Sequence, residues 1–335
     1  MEGFVSVVLR SLINIESLSG IETVGNLSRH RTAPIVVPSQ NGYTIKFVPT
    51  LSGESLAHYY QELLVEEAKR LEIKVNRHNL TGEFLKFTDE DLLREEKIEP
   101  PKNENEIRRV ESEIIYNDYI CDVGGFMYAG KEGKPIKRTS CFQVGYAIPA
   151  VYEGEAAALE AQFHVRFAPS NMDKYQMPYN VEVGSALYTF TFTLNLSRIA
   201  RVSNMFGVKG EKEDELEKER ANRVKGALNA LLNFYSSLSF GAKRSRFLPN
   251  IEPVSAVASY SPNSYFISSP GNSKGYISNT LERKDKFIEA AKKLGNQPII
   301  HVACFDKEKA SEGLSVEKFN TLEALVNWLI HTIVK

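Results

Sequence analysis

The chain has 335 residues, 42% of them hydrophobic and 10% aromatic, a composition that suits a folded protein of one large domain or two. Its 41 Lys and Arg stand against 42 Asp and Glu, a net charge of −1, so no overall field draws it to polyanions and any nucleic-acid contact must come from local clustering. No apolar run approaches the ~18 residues of a membrane span, and Glu2 and Arg10 interrupt the N-terminal apolar run, so neither a membrane anchor nor a signal peptide is expected and the location is expected to be cytoplasmic.

Residues 4–15 (Phe4, Val5, Val7, Val8, Leu9, Leu12, Ile13, Ile15) predict a buried strand that ends in the turn formers of 14–20. A loop is predicted over 25–34. It lies in a stretch, 23–53, that holds Arg29, Arg31 and Lys46 and no acid. Alternation over 43–48 predicts a short strand. Ser52-Gly53-Glu54-Ser55 then opens a helix with the apolar stripe Leu56, Tyr60, Leu63, Leu64 and Leu71. Ser52 reads either as an ordinary cap or as part of a phosphate seat on the helix amides. Residues 76–120 are charged, contain Pro100-Pro101 and carry short helical patterns, and they read as an insertion or flexible excursion outside the core. The glycine-rich 123–130, leading into Lys131-Glu132-Gly133-Lys134, resembles a surface hairpin and lacks the pattern of a nucleotide-binding loop.

The clearest period-two signals are 159–167 and 186–196, which predict two long half-buried strands paired antiparallel, each with one apolar face. The opposite face carries Gln162, His164, Arg166 and a threonine ladder, open to solvent or to a ligand. The connection 168–185, with Met172, Tyr175, Met177, Pro178 and Tyr179, reads as an extended arm reaching a neighbour. A charged helix follows from about 213 to 238, with Gly241 as its terminating residue. Residues 239–249 then bring Lys243, Arg244 and Arg246 with small residues and no acid, a pattern that fits phosphodiester contacts as well as a helix end answering its dipole. A strand at 254–258, a Ser/Pro/Asn-rich loop at 260–278, a helix at 281–294, a strand at 299–305 and a final helix through Leu322, Leu325, Val326, Leu329 and Ile333 complete the chain. This order predicts an α+β fold on a ferredoxin-like core with large insertions.

Catalytic chemistry has little support in the sequence. No Gly-x-Ser-x-Gly elbow occurs, Cys121, Cys141 and Cys304 form no disulfide or zinc pattern, and the six histidines have no metal-ligating spacing, so no metal and no cofactor are expected. His30 and His164 could serve metal-independent acid–base ribonuclease chemistry. Histidines among arginines and threonines equally suit base stacking or phosphate binding.

Seven segments in one order carry a resemblance: 14–20 (Asn-Ile-Glu-Ser-Leu-Ser-Gly), 25–34 (Gly-Asn-Leu-Ser-Arg-His-Arg-Thr-Ala-Pro), 51–58 (Leu-Ser-Gly-Glu-Ser-Leu-Ala-His), 122–128 (Asp-Val-Gly-Gly-Phe-Met-Tyr), 138–146 (Arg-Thr-Ser-Cys-Phe-Gln-Val-Gly-Tyr), 164–167 (His-Val-Arg-Phe) and 241–246 (Gly-Ala-Lys-Arg-Ser-Arg). Together they resemble the DevR-like family, backbone subunits of the archaeal (type I-A) Cascade CRISPR surveillance complex. The resemblance implies a hand-like fold. A modified RNA-recognition-motif palm would span 1–75 and 140–260, helical fingers 76–139, a thumb hairpin 168–185, and a C-terminal α/β extension, 261–335, would complete the palm. It implies copies stacked head to tail along a guide RNA. Further implied partners are a subunit holding the guide 5′ end, small and large subunits, a helicase and a nuclease, and target DNA through the guide.

The resemblance also implies the contacts. Arg29, Arg31, Arg138, Lys243, Arg244 and Arg246 would meet phosphates. Asn14, Ser17, Ser52, Ser140 and Gln143 would hydrogen-bond phosphate or sugar, and His164 and Arg166 would line the palm. Met127 or Met172 would wedge against a splayed nucleotide, and Asn26, Ser28, His30, Gly53, Thr139, Asn171, Gly241 and Ser245 complete the RNA-binding set. The polar strand face lacks the stacking aromatics of an ordinary RNA-recognition motif, so readout should follow backbone and shape. Relatives that cut RNA place an aspartate after the first strand; residues 14–34 hold Glu16 and Glu22 but no aspartate, so no cleavage is expected.

Overall fold

In the computed structural model, which describes residues 1–154, 156–166 and 177–334, the N-terminal apolar run forms the central strand β1 (Phe4–Glu16). Four short strands follow, β2 (Gly20–Val24), β3 (Leu27–His30), β4 (Thr32–Ser39) and β5 (Gly42–Pro49), and then helix α1 (Gly53–Leu71). Next come α2 (Arg77–Leu80), α3 (Glu90–Glu95), α4 (Ile107–Asn117) and α5 (Tyr119–Gly124). Strands β6 (Phe126–Tyr128), β7 (Ile136–Arg138), β8 (Phe142–Val144) and β9 (Ile148–Pro149) lead to the long β10 (Ala157–Arg166) and β11 (Met177–Asn195). The remainder is α6 (Lys212–Ser237), β12 (Asn250–Ser261), α7 (Tyr276–Lys293), β13 (His301–Asp306), β14 (Glu317–Phe319) and α8 (Leu322–Val334).

The fold is α+β around a mixed sheet. β1 runs antiparallel to β11 on one side (Leu9 opposite Phe190) and to β12 on the other (Leu9 opposite Ala256). β13 and β14 extend the sheet beyond β12, and β8, β9 and β10 pair with β11. Strand alternation puts Val5, Val7 and Leu9 on one face with Phe190, Phe192 and Leu194. That face is covered by α1, α6 and α8, and Tyr60 of α1 sits edge-on to Phe142 and Phe192. Val8 and Val257 point the other way and pack on Tyr276 and Ile277 of α7.

Several expectations change. Residues 76–120 are no excursion: Leu93, Ile98, Val110, Ile114, Ile115 and Ile120 are buried in the same core as β1. Their charge lies on the outer side of short amphipathic helices, which composition alone does not separate from a solvated segment. The predicted loop 25–34 contains β3 and the start of β4, where Pro34 and Pro38 are tolerated in a two-stranded ribbon. Gly241 does not end α6; Leu238 does, at φ 44°, with its N–H on the Phe234 carbonyl. Both long alternating segments are strands, but they do not pair with each other: Ala157–Arg166 runs antiparallel to Met177–Ala186, while residues 186–195 pair with β1. Thus 177–185, read as loop, is strand, and 167–176 lies outside the described residues. β10 does not bury its apolar face: Leu159, Phe163 and Val165 are all exposed.

The threonine ladder is not open either. Thr189 and Thr193 are buried beneath the chain's own 262–275 loop. There the Gly271 carbonyl accepts from Arg10 at 2.7 Å, Ser268 N donates to Ser6 Oγ at 3.2 Å, and Asn195 reaches Tyr265 Oη at 3.4 Å. Arg10 itself forms a buried bidentate pair with Glu308 at 2.7 and 2.9 Å. The C-terminal segment thus closes the sheet's polar face.

Candidate nucleic-acid interface

β1 ends in a strained turn. Its register with β11 shifts between Ile13 and Glu16, and Ile15 adopts φ 57°. A left-handed β-branched residue costs roughly 1–3 kcal/mol, held here by the Ile15 N–H donating to Ser185 Oγ at 2.9 Å. The turn drives Glu16 inward, where it is fully buried. Its Oε1 accepts from Tyr188 Oη at 2.7 Å and lies 2.6 Å from His30 Nε2, while Oε2 accepts from Leu18 N at 2.8 Å. His30 is tied on its other sides too: Nδ1 donates to the Arg31 carbonyl at 2.8 Å, and the backbone N–H donates to Glu182 at 2.7 Å. Burial disfavours the imidazolium, but the Glu16 hydrogen bond and charge, the Arg31 carbonyl and Glu182 outweigh it, so the pKa rises above its usual 6.5. At 1% exposure His30 touches no ligand, which corrects both its place in the RNA-binding set and its use as a ribonuclease base.

The basic loop is laid on this turn. Ala242 N donates to the Leu18 carbonyl at 2.9 Å, and Gly241 has φ +86° where a Cβ would come within 2.6 Å of Leu18 Cβ. Only glycine fits there. Lys243 Nζ lies 3.9 Å from where a Cβ on Gly20 would sit, and Arg31 Nε donates to Ser19 Oγ at 3.2 Å. Phe247 meets His164 edge-on at 5.5 Å, and His164 stacks on Tyr179 across β10–β11 at 5.2 Å. The turn, Arg31, the basic loop and the base of the long hairpin therefore form one continuous region.

Two cations of the basic loop, Lys243 and Arg246, stand close to each other in this region. Among the described residues no carboxylate pairs with Lys243 or Arg246. Burial and the neighbouring Arg246 lower the Lys243 pKa, with Tyr179 acting the other way. A phosphate between the two cations would relieve their repulsion. Arg244 is not part of this pair. It folds back onto the Ser239 carbonyl at 2.7 Å and onto the Ser239 hydroxyl, so it braces the loop instead of meeting a phosphate. Ser245 and Arg246 are exposed.

The other predicted residues divide. Asn14, Asn26 and Arg29 are exposed near the turn, with Asn26 accepting the Asn180 N–H on its carbonyl and Arg29 3.4 Å from Glu22. Ser28 pairs beside Val181. Ser17 is buried and donates inward to the Glu182 carbonyl, so its hydroxyl is not offered to RNA. Arg166 is described through its backbone pairing with Met177, and Asn171 and Met172 lie outside the described residues. Ser52 is a cap: its Oγ accepts from Ser55 N at 3.2 Å. It is buried with Gly53 against Val144 and Gly145, where a Cβ on Gly53 would come 2.8 Å from the Val144 carbonyl, so α1 offers no open phosphate seat.

Arg138 is the largest correction. Its guanidinium is fully buried, paired with Asp122 at 2.7 Å and Glu111 at 3.0 Å, and it donates to the Arg198 and Arg201 carbonyls. Arg223 joins the same cluster through Asp122 at 3.1 Å. It locks α4, α5 and α6 to residues 198–204 and reaches no phosphate. Ser140 spends its hydroxyl on the Phe142 carbonyl at 2.6 Å. Met127, Thr139 and Gln143 are exposed on or beside β6, β7 and β8, a different part of the fold. Sequence reasoning missed Glu16, Glu182, Tyr188, Tyr179 and Phe247. Phe247 alone left a signal, as an aromatic inside a cationic run.

No group of His, Cys, Asp and Glu able to hold a metal occurs among the described residues, and no described helix is long and apolar enough to cross a membrane. Residues 7–281 match the family model described as CRISPR-associated negative auto-regulator DevR/Csa2. A "CRISPR-associated aCascade subunit Cas7/Csa2 2" of Saccharolobus solfataricus is 43% identical over 96% of this chain and 98% of its own length. A "CRISPR-associated protein Cas7/Csa2 1" of the same organism is 34% identical over 85% and 88%. Among solved structures, a chain of a "CRISPR RNA-guided surveillance complex" superposes with a TM-score of 0.51 at 11% identity, covering 98% of this chain and 99% of that one, a likeness of fold. From the extent of the family match and the identity to these relatives, the chain belongs to the DevR/Csa2 family of CRISPR-associated proteins.

Proposed function

We propose that this protein is a non-catalytic guide-RNA-binding backbone subunit of a Cascade-type surveillance complex, stacking head to tail along the RNA. The observation that carries the reading is the Lys243–Arg246 pair, two neighbouring cations without carboxylate partners among the described residues, set over the Gly20 end of the turn and beside His164 and Tyr179. The turn contributes backbone and small side chains at the track, chemistry that grips sugar and phosphate and ignores base identity. The relative named as an aCascade subunit supports the assembly. The pairing order β12–β1–β11, with β8 beyond, supports a ferredoxin-like palm; the β10–β11 hairpin is the thumb of this reading and the α2–α5 region its fingers. Other Cascade subunits, and target DNA through the guide, are the partners it requires.

The test is recovery of the protein with its bound nucleic acid. Purification at low salt should yield RNA protected in fragments of regular spacing and unrelated sequence. Protein free of RNA, or fragments sharing one sequence motif, would contradict the reading.

A further inference from the structure

A cleft of about 770 Å³ lies between α7, the 262–275 loop and the turn that carries Tyr152. Its size is that of a small-molecule site, and it shares no residue with the turn after β1 or with the basic loop. Polar packing fixes its floor. Ser268 and Ser269 are buried; Ser268 Oγ donates to Ser259 Oγ at 3.1 Å, and Ser269 N donates to Thr280 Oγ1 at 2.9 Å.

One stripe of α7 faces this floor. Asn279, Glu282, Arg283 and Lys286 all line the cleft, and their spacing of three, four and seven residues puts them on one side of the helix. Arg283 is held in place: Nη1 donates to the Ile267 carbonyl at 3.1 Å and to Ser269 Oγ at 3.0 Å, and the guanidinium lies 5.6 Å from the Phe266 ring. No carboxylate pairs with it among the described residues, so Nε and Nη2 are unspent donors. Lys286 meets only Glu289, at 3.4 Å, with side chains 74% and 54% exposed, and a surface pair of this kind holds its cation weakly. Across the cleft, Tyr152 and Ile267 present apolar walls, 41% and 45% exposed. No hydrogen bond among the described residues engages the side-chain amides of Asn272 and Asn279.

We propose that this cleft binds a nucleoside monophosphate unit, free in solution or as one nucleotide of a single strand. Arg283 and Lys286 take the phosphate, Glu282 the ribose hydroxyls, and the base lies against Tyr152 with its edge on Asn272 and Asn279. Two cations alone suit any anion. The aromatic wall and the two open amides beside them, with a carboxylate that repels a second anionic group, select a ligand that combines one phosphate with hydroxyls and a polar planar ring. None of these residues belongs to the RNA track, so the site stands whether or not the chain binds guide RNA.

The experiment is calorimetric titration of the full chain with AMP, adenosine and inorganic phosphate, adenine being a base that a side-chain amide pairs bidentately. AMP should bind about tenfold more tightly than either of the others, because it alone fills both halves of the cleft. Lys286→Glu, which leaves the bonds of Arg283 to the loop intact, should weaken AMP about tenfold and leave adenosine unchanged. Tyr152→Ala should weaken both, and Lys243→Ala/Arg246→Ala should bind AMP as wild type does. In that last variant, tetraadenylate binding more tightly than AMP, and sensitive to Lys286→Glu, identifies a strand as the source of the nucleotide; binding equal to or weaker than AMP identifies the free nucleotide. AMP that binds no more tightly than phosphate, ignores Lys286→Glu or is lost in Lys243→Ala/Arg246→Ala would overturn the site, as would wild type that binds no AMP.

Discussion

Lys243 and Arg138 look alike in the sequence, each a cation among small residues and near aromatics, and the fold gives them opposite tasks. Arg138 meets Asp122 and Glu111, which reach it only once α4 and α5 are folded against β7. Those pairings lie across helix–strand contacts that no local pattern encodes. Arg138→Ala leaves two carboxylates buried beside an empty guanidinium site, and should cost about 3–5 kcal/mol in chemical denaturation. Lys243→Ala should cost little stability. Equal, small effects from both would contradict the assignment. Gly241→Ala forces a side chain against Leu18 at positive φ and should destabilise by more than about 1 kcal/mol, lifting the basic loop from the turn. His30 gives a pH test. Its folded pKa is raised, so the stability its protonated form contributes is complete below the unfolded value near 6.5 and is lost as pH rises through the folded value. The stability difference between wild type and His30→Gln should therefore shrink from about pH 6 to pH 9, and a difference that grows over that window would count against the Glu16–His30 pair.

Elements with a strong period were legible. β1, α1, the strand character of 159–166 and 186–195, and α6 follow from where apolar side chains recur, and Ser52 caps α1 as its type predicts. Leu64, fully buried on the α1 stripe, should cost about 2–5 kcal/mol on truncation to alanine. Elements whose sequence sends a mixed signal were not legible. Pro34 and Pro38 argue against a strand, yet β4 forms because its ribbon has free edges. Short helical patterns were visible over 76–120, but the surrounding charge and Pro100-Pro101 hid that α4 and α5 turn their apolar faces into the core. β10 alternates cleanly, but alternation reports a sheet period and not what the apolar side faces. In this chain that side is exposed, as it is on β4–β5.

As a whole the molecule differs from an open-sheet RNA binder. Both faces of its central strands β1 and β12 are covered, one by α1, α6 and α8, the other by α7 and the 262–275 loop that Arg10 and Glu308 hold in place. The proposed binding therefore falls not on the sheet surface but at the end of β1, where the basic loop, the turn and the long hairpin converge. That convergence was only partly readable: the segments were each conspicuous, but Glu16, Glu182 and Tyr188, which bring them together, are buried partners from distant strands. The decisive measurement is the affinity of wild type and the Lys243→Ala/Arg246→Ala variant for two single-stranded RNAs of equal length and unrelated sequence across a salt series. Loss of two phosphate contacts should weaken binding equally for both RNAs and reduce the slope of log affinity against log salt by about 1.4. A loss confined to one sequence, or an unchanged slope, would contradict a track that reads the RNA backbone through these two cations.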